Sequence, residues 1–153
     1  MDRKTRAKFV DTVIQVVEQF AFMLAEEAPA GASGPGGDVC LVTMTYSGPK
    51  DGTISLALPR DLCRIMAANA LGVDADRVKP ADVEDTAREL LNVITGRLAF
   101  ELYGPTVVTE LTVPELKKPS PKERAEHTER PDVIRFAVEG KIMAARLIIH
   151  DAT

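Results

Sequence analysis

The stretch that decides the fold is residues 80–104, PADVEDTARELLNVITGRLAFELYG. At about 100° per residue its apolar positions fall within a sector of about 100°, which predicts an amphipathic helix over 81–103 with one buried face. A proline at the first turn and a Gly-Pro pair after the last turn mark its two ends. The buried face comprises Val83, Ala87, Leu90, Leu91, Ile94 and Leu98.

The opposite face of this helix carries a polar stripe. Asp85, Glu89, Asn92 and Gly96 project within about 60° of one another. A carboxylate and a carboxamide one turn apart suit chemistry on a phosphoryl group, because the amide can accept from and donate to water while the carboxylate engages a cation. Gly96 weakens the helix by up to about 1 kcal/mol but leaves a flat spot for another protein's backbone. A polar stripe is also typical of an ordinary solvated helix face.

The chain before this helix divides into short elements. Apolar residues at spacings of three and four predict a helix over 4–28, ended by Pro29. The glycine-rich residues up to 37 are predicted to form a loop. Runs rich in β-branched residues at 39–46 and 53–58 predict a β-hairpin, and a helix over 60–71 is predicted to end at Gly72.

The chain after this helix is predicted to be mostly strand. We expect a strand over 106–113, a solvated loop over 117–132 and a second hairpin from 133–138 and 142–149. This order favours one α+β domain over 1–153, with a mainly antiparallel sheet and its helices packed on one face. The last strand barely alternates, so both its faces are expected to be covered, and a homodimer would provide that cover.

The charge of the chain excludes several classes of protein. The formal charge is −4, which argues against a nucleic-acid or anionic-membrane partner, since either favours a clustered excess of Lys and Arg. Neither a signal-peptide core nor a membrane span is found, so a cytoplasmic protein is expected.

The cysteines and histidines do not indicate a metal site. Cys40 and Cys63 stand alone in apolar segments, where a thiol behaves as a small hydrophobic group. His127 and His150 are separated and are expected at the surface. A metal site or a Ser-His-Asp triad built from this chain alone is therefore not predicted.

The polar stripe resembles a known phosphatase signature. The segment from Asp85 through Glu89 and Asn92 to Gly96, with Pro114 following, resembles the Asp/Ser-x-x-x-Glu-x-x-Asn…Pro pattern of the CheC, CheX and FliY phosphatases. Size and element order agree over most of the chain. The resemblance implies a CheX-like fold and hydrolysis of the aspartyl phosphate on a CheY-like response regulator, in chemotaxis or another two-component circuit.

The resemblance also implies a role for each signature residue. Asn92 would enter the partner's active site and orient a water in line with the phosphorus, and Glu89 would pair with the partner's active-site lysine. Asp85 would support the contact or the helix start, and Pro114 would shape the adjoining loop. The aspartyl phosphate and the Mg²⁺ would belong to the response regulator, so no cofactor or metal of this chain's own is expected.

The chain contains one signature and not two. Its only asparagines are Asn69 and Asn92. Three residues before Asn69, where the signature has a glutamate, this chain has Met66. This is similar to CheX, which has one site per subunit and forms a dimer through its sheet. Arg88 stands where the family often has a small residue, and such a cation can alter docking or pair with Asp85 or Glu89.

Two other functions stay open at this point. A catalytically degenerate CheX-like binding module would dock on a receiver domain without changing the decay of its phosphate. A structural dimer would have a polar stripe that is merely solvated. Loss of dephosphorylation in an Asn92→Ala variant would separate the phosphatase from both.

Overall fold

The elements are taken from a computed structural model, which describes residues 1–150. The helices are α1 (Arg3–Ala21), α2 (Arg60–Leu71), α3 (Pro80–Tyr103) and α4 (Pro121–Thr128), with a short 3-10 helix at Ala75–Arg77. The strands are β1 (Ala25–Glu27), β2 (Val39–Ser47), β3 (Asp51–Pro59), β4 (Glu110–Leu111), β5 (Glu115–Lys117), β6 (Ile134–Val138) and β7 (Lys141–His150). The predicted α+β class is confirmed.

The strands form one antiparallel sheet in the order β1-β6-β7-β3-β2-β4, and β5 also pairs with β2. Both predicted hairpins are present as β2–β3 and β6–β7, with ends within two residues of the prediction. Glu139 and Gly140 join β6 to β7 with φ angles of 47° and 89°, the conformation that a two-residue hairpin turn requires.

Helices α1, α2 and α3 pack on one face of the sheet and enclose the main core. The six apolar residues predicted on the inner face of α3 are all buried. Helix α3 starts at Pro80, where the Asp82 carboxylate accepts a hydrogen bond from the Lys79 amide at 3.0 Å. Helix α2 ends where predicted, because Gly72 adopts a φ of 69° that closes the helix.

Helix α1 is shorter than predicted. It ends at Ala21 rather than Ala28, and Phe22 takes a left-handed conformation. The Asn69 side chain donates a hydrogen bond to the Ala21 carbonyl at 2.8 Å and so satisfies an acceptor at the helix end. Met23 is buried, and the residues after it leave the helix to pair with β6. Burial of Met23 and strand pairing therefore end the helix.

The segment 117–132 is not a solvated loop throughout. It contains the end of β5 and helix α4, which begins with reciprocal hydrogen bonds between Ser120 and Glu123. This capping box stabilises a helix start. Helix α4 lies on the outer face of the sheet, near a second apolar cluster of Val39, Leu41, Ala57 and Ala144.

The two histidines differ in their exposure. His127 on α4 is half-buried against the outer face of the sheet, and burial lowers its pKa. His150 is exposed, as predicted.

The glycine-rich loop between α1 and β2 is tied to the rest of the chain. Arg124 of α4 and Arg135 of β6 donate hydrogen bonds to the carbonyls of Gly37 and Ala32. Arg135 also donates to the Thr128 carbonyl at 3.2 Å. The predicted loop is confirmed, and its two ends are held against α4 and β6.

Strand β7 is covered on both faces by this chain itself. Met143 and Leu147 pack in the main core, whereas Ala144 belongs to the outer cluster and Arg146 pairs with Asp132 at 2.7 Å. Its weak alternation therefore no longer argues for a second subunit. The homodimer stays a prediction.

The predicted strand 106–113 is mostly irregular. Only Glu110–Leu111 pairs with β2 before Pro114 interrupts the pairing, and Val108 and Val113 are exposed. Proline has no amide hydrogen to donate to a neighbouring strand, so pairing with β2 begins again only at β5. The β-branched composition of residues 106–113 predicted a full strand. Its valines are exposed, so most of the segment does not form one.

Both cysteines are buried in the main core, as predicted. The Cys63 thiol donates to the Val83 carbonyl at 3.1 Å, and burial raises its pKa to about 12. No helix within residues 1–150 is long and apolar enough to cross a bilayer.

Candidate functional site

Helix α3 places the polar stripe on the outer surface of the helical layer. Asp85 and Glu89 are exposed, and Asn92 and Gly96 are half-buried. All four stand opposite the buried face of the same helix, because a helix repeats every 3.6 residues. The structure thus brings together the residues that the sequence placed on one stripe.

The Glu89 carboxylate and the Asn92 carboxamide are the unpaired members of the stripe. Among residues 1–150 neither side chain has a hydrogen-bond or ion-pair partner. They are three residues apart on one helix, so their side chains are neighbours. A free acceptor beside a group that both donates and accepts can bind a water and a cation at adjacent positions.

Arg88 lies at the edge of the stripe and is held by other carboxylates. Its guanidinium donates to Asp85 Oδ1 at 3.2 Å and lies 4.0 Å from Glu84 Oε1, while Glu84 also pairs with Arg60 at 3.4 Å. Of the two pairings expected for Arg88, the one with Asp85 is observed. Exposed ion pairs contribute about 0–1 kcal/mol, so a binding partner could displace this one.

Gly96 is not required by the packing of this chain. A Cβ atom built there would lie 4.0 Å from Leu111 Cδ1, which is ordinary van der Waals contact, and nothing else comes as near. An alanine would fit and would strengthen the helix by about 0.5–1 kcal/mol. Packing within the described part of this chain therefore does not explain the glycine.

The loop after α3 borders the stripe at its Gly96 end. Thr112 ties this loop to β2, since its amide donates to the Thr45 carbonyl and its hydroxyl accepts from the Thr45 amide, each at 2.9 Å. Leu111 extends from it toward Gly96. Pro114 is half-buried and lies between β4 and β5.

A groove borders the stripe on its other side, and the sequence did not predict it. Phe20, Ala70 and Leu71 from the ends of α1 and α2 line it together with Asp85 and Glu89 of the stripe. Its remaining lining residues are Asp82 and Thr86. The one available sequence signal was an apolar Leu71 in the last, solvent-facing turn of a helix, just before its terminal glycine.

The site offers groups that bind and orient. Within the described part of the chain, no three side chains of His, Cys, Asp or Glu are grouped so that they could hold a metal ion. The nearest charged groups are the carboxylates of α3 and the paired Arg88.

Three comparisons with known proteins bear on this site. A family model described as chemotaxis phosphatase CheX matches residues 40–136, which include α3 and Pro114. No curated protein matches.

Several solved structures share the fold. The chemotaxis protein CheX of Desulfovibrio desulfuricans has a TM-score of 0.70 at 14% identity, covering 96% of this chain and 99% of that one. The CheX chain of a CheX–CheY complex with beryllofluoride and magnesium from Borrelia burgdorferi has a TM-score of 0.68 at 14% identity, covering 96% and 98%. Thermotoga maritima FliY has a TM-score of 0.55 at 14% identity, covering 99% and 92%. At such identities these likenesses establish the fold alone.

Proposed function

This chain belongs to the CheX family of chemotaxis phosphatases, and from that premise we propose that it hydrolyses the aspartyl phosphate of a CheY-like receiver domain. The observation that carries the proposal is the unpaired Glu89–Asn92 pair on the exposed face of α3, inside the matched region. A carboxamide with both its donor and its acceptor free is the group that can orient a water.

The proposed reaction needs no covalent intermediate on this chain. Asn92 orients a water whose oxygen attacks the phosphorus as the bond from phosphorus to the receiver's aspartyl oxygen breaks. The products are inorganic phosphate and the free aspartate. The receiver supplies the Mg²⁺ that neutralises the phosphoryl oxygens, so the contribution of Asn92 is positioning.

Glu89 has a binding role in this proposal. Its free carboxylate pairs with the receiver's active-site lysine and so fixes how deeply Asn92 enters the site. Asp85 and Arg88 border the contact, Gly96 admits the partner's backbone, and Pro114 holds the loop that carries Leu111. The Borrelia CheX–CheY complex supports a receiver as the partner.

A cytoplasmic location and a homodimer, both expected from the sequence, belong to the same proposal. The phosphorylated receiver is the substrate whether the protein is a monomer or a dimer, because each subunit carries one complete stripe. Sedimentation of the purified chain would test the dimer independently of activity.

A second candidate function is favoured by Arg88. Its side chain is bulky, half-buried and paired with Asp85 at the edge of the stripe, where it can stop Asn92 from entering fully. In that case the chain is a binding module that docks on the phosphorylated receiver and leaves its decay rate unchanged.

The test is the decay of a phosphorylated CheY-like receiver in Mg²⁺ buffer, alone, with this protein and with its Asn92→Ala variant. We expect acceleration by the wild type and a loss of about 100-fold or more in the variant, the size typical of a missing water-orienting group. Glu18→Ala on the exposed face of α1 is the matched control and should keep full activity.

The outcomes separate the two candidates. Acceleration that survives in Asn92→Ala would contradict the assignment of this residue. Binding of the phosphorylated receiver without acceleration by the wild type would establish the binding module instead, and an Arg88→Ala variant that gains activity would identify the cause.

A further inference from the structure

The groove beside the stripe has a partly exposed apolar wall. Leu71 is the last residue of α2 and is 55% exposed. The half-buried Phe20 and the exposed Ala70 lie beside it. The last turn of a helix favours Lys or Arg, because cations stabilise its free carbonyls, yet α2 has no basic residue there. An exposed leucine at this position is therefore unexplained by the stability of the helix.

The opposite wall of the groove is acidic. Asp82, Asp85 and Glu89 line it, and the lining residues include no lysine or arginine. The carboxyl end of α2 adds partial negative charge from its unpaired carbonyls. The groove thus combines an apolar wall with a negative one, which suits a partner that presents an apolar side chain next to a cation.

The groove is continuous with the proposed reaction site, because Glu89 and Asp85 belong to both. A protein whose lysine pairs with Glu89 comes directly beside the groove, because Glu89 lines it. A receiver bound in this way would desolvate Leu71 and Phe20, and burial of apolar surface is the main favourable term in protein association.

We propose that this groove is the affinity site for the receiver. It takes an apolar side chain that neighbours the receiver's active-site lysine, while the stripe supplies the chemistry. The inference rests on the proposed function for the identity of the partner. It assigns to Phe20, Ala70 and Leu71 a binding role outside the phosphatase signature.

The experiment separates affinity from rate. A CheY-like receiver activated with beryllofluoride and Mg²⁺ is titrated with wild type, Leu71→Ser and Ala70→Glu, and decay of the phosphorylated receiver is measured at saturating concentrations of each. Leu71→Ser should bind about tenfold or more weakly, the loss expected for one buried leucine. Ala70→Glu should weaken binding by a similar factor, because it would bury a charge against the partner's apolar side chain. Both variants should keep the wild-type rate at saturation. Ala70→Glu replaces an exposed residue, so it serves if Leu71→Ser folds poorly.

The matched control is Leu24→Ser. Leu24 is 72% exposed and lines a separate groove beside β1, so this variant should bind like the wild type. Asn92→Ala should behave in the opposite way to Leu71→Ser. It should keep its affinity for the activated receiver and lose the acceleration of decay at saturation.

Three results would overturn the inference. The first is unchanged affinity in both groove variants, and the second is no binding of any receiver by the wild type. The third is weaker self-association in Leu71→Ser with receiver binding intact, which would assign the groove to a second copy of this chain. A wild type that binds without accelerating decay would refute the proposed function alone, since affinity still reports on the groove.

Discussion

The exposed faces of α1 and α3 carry polar side chains at the same spacing, but only α3 has the chemistry of a site. Asp11, Gln15 and Glu18 stand four and three residues apart on α1, as Asp85, Glu89 and Asn92 do on α3. On α1 the last of the three is a carboxylate. An ionised carboxylate only accepts hydrogen bonds, so it cannot both hold and orient a water as an amide can.

The surroundings of the two stripes also differ. Gln15 accepts a hydrogen bond from Arg97 at 3.4 Å, whereas Glu89 is unpaired among residues 1–150. Helix α1 ends at Ala21, so the exposed Phe22 follows one turn after Glu18, but α3 continues through Gly96. Spacing alone therefore does not make a site, because the groups must also be free and the approach open.

The largest effect is expected at the acidic position of the α3 stripe. Glu89→Gln gives α3 the amide that α1 carries at Gln15, and we expect at least about a tenfold rise in the dissociation constant for the activated receiver, because a buried cation loses its partner. Titration of the receiver activated with beryllofluoride measures this. The reciprocal Gln15→Glu should bind like the wild type. Opposite changes of similar size in the two variants would mean that net charge rather than position matters.

A smaller effect is expected at the glycine of the α3 stripe. Gly96→Ala should raise the free energy of unfolding by about 0.5–1 kcal/mol, since the methyl group fits beside Leu111. It should also weaken receiver binding severalfold, because the partner's backbone can no longer approach as closely. Chemical denaturation measures the free energy of unfolding, and titration of the activated receiver measures its affinity. A variant that is more stable and binds equally well would refute the docking role of Gly96.

The smallest effect is expected where the two helices touch. Arg97 of α3 contacts both Gln15 and Glu101, and these contacts are exposed. Arg97→Ala should therefore cost less than about 1 kcal/mol in the free energy of unfolding. The decay rate of the phosphorylated receiver in Mg²⁺ buffer should be the same as with the wild type. A clear fall in decay rate without loss of stability would show that the two stripes act together in dephosphorylation.

Local signals predicted the parts of the fold that local chemistry decides. Helices α2 and α3 end where Gly72 and Gly104 end them, and the stripe follows from the period of one helix. The end of α1 could not be predicted in this way, because β1 pairs with β6 more than a hundred residues along the chain. Helix α4 had a local signal in Ser120 and Glu123 that the charged composition around it obscured.

The candidate site divides in the same way. Glu89, Asn92 and their neighbours on α3 could be found from the sequence because one helix carries them all. The groove could not, because Phe20, Leu71 and Asp85 come from three helices whose ends meet only in the folded chain. Side chains grouped by periodicity can be predicted, whereas those grouped by packing cannot.

The edges of the sheet limit how two copies of this chain could join. One edge is β1, with three residues, two of them glutamates, and the other is split by Pro114 into two short strands. Short, charged or proline-broken edges present few free N–H and C=O groups and so resist edge-to-edge aggregation. A dimer built by extending the sheet would therefore rest on only a few backbone hydrogen bonds, and side-chain contacts would have to supply most of its stability.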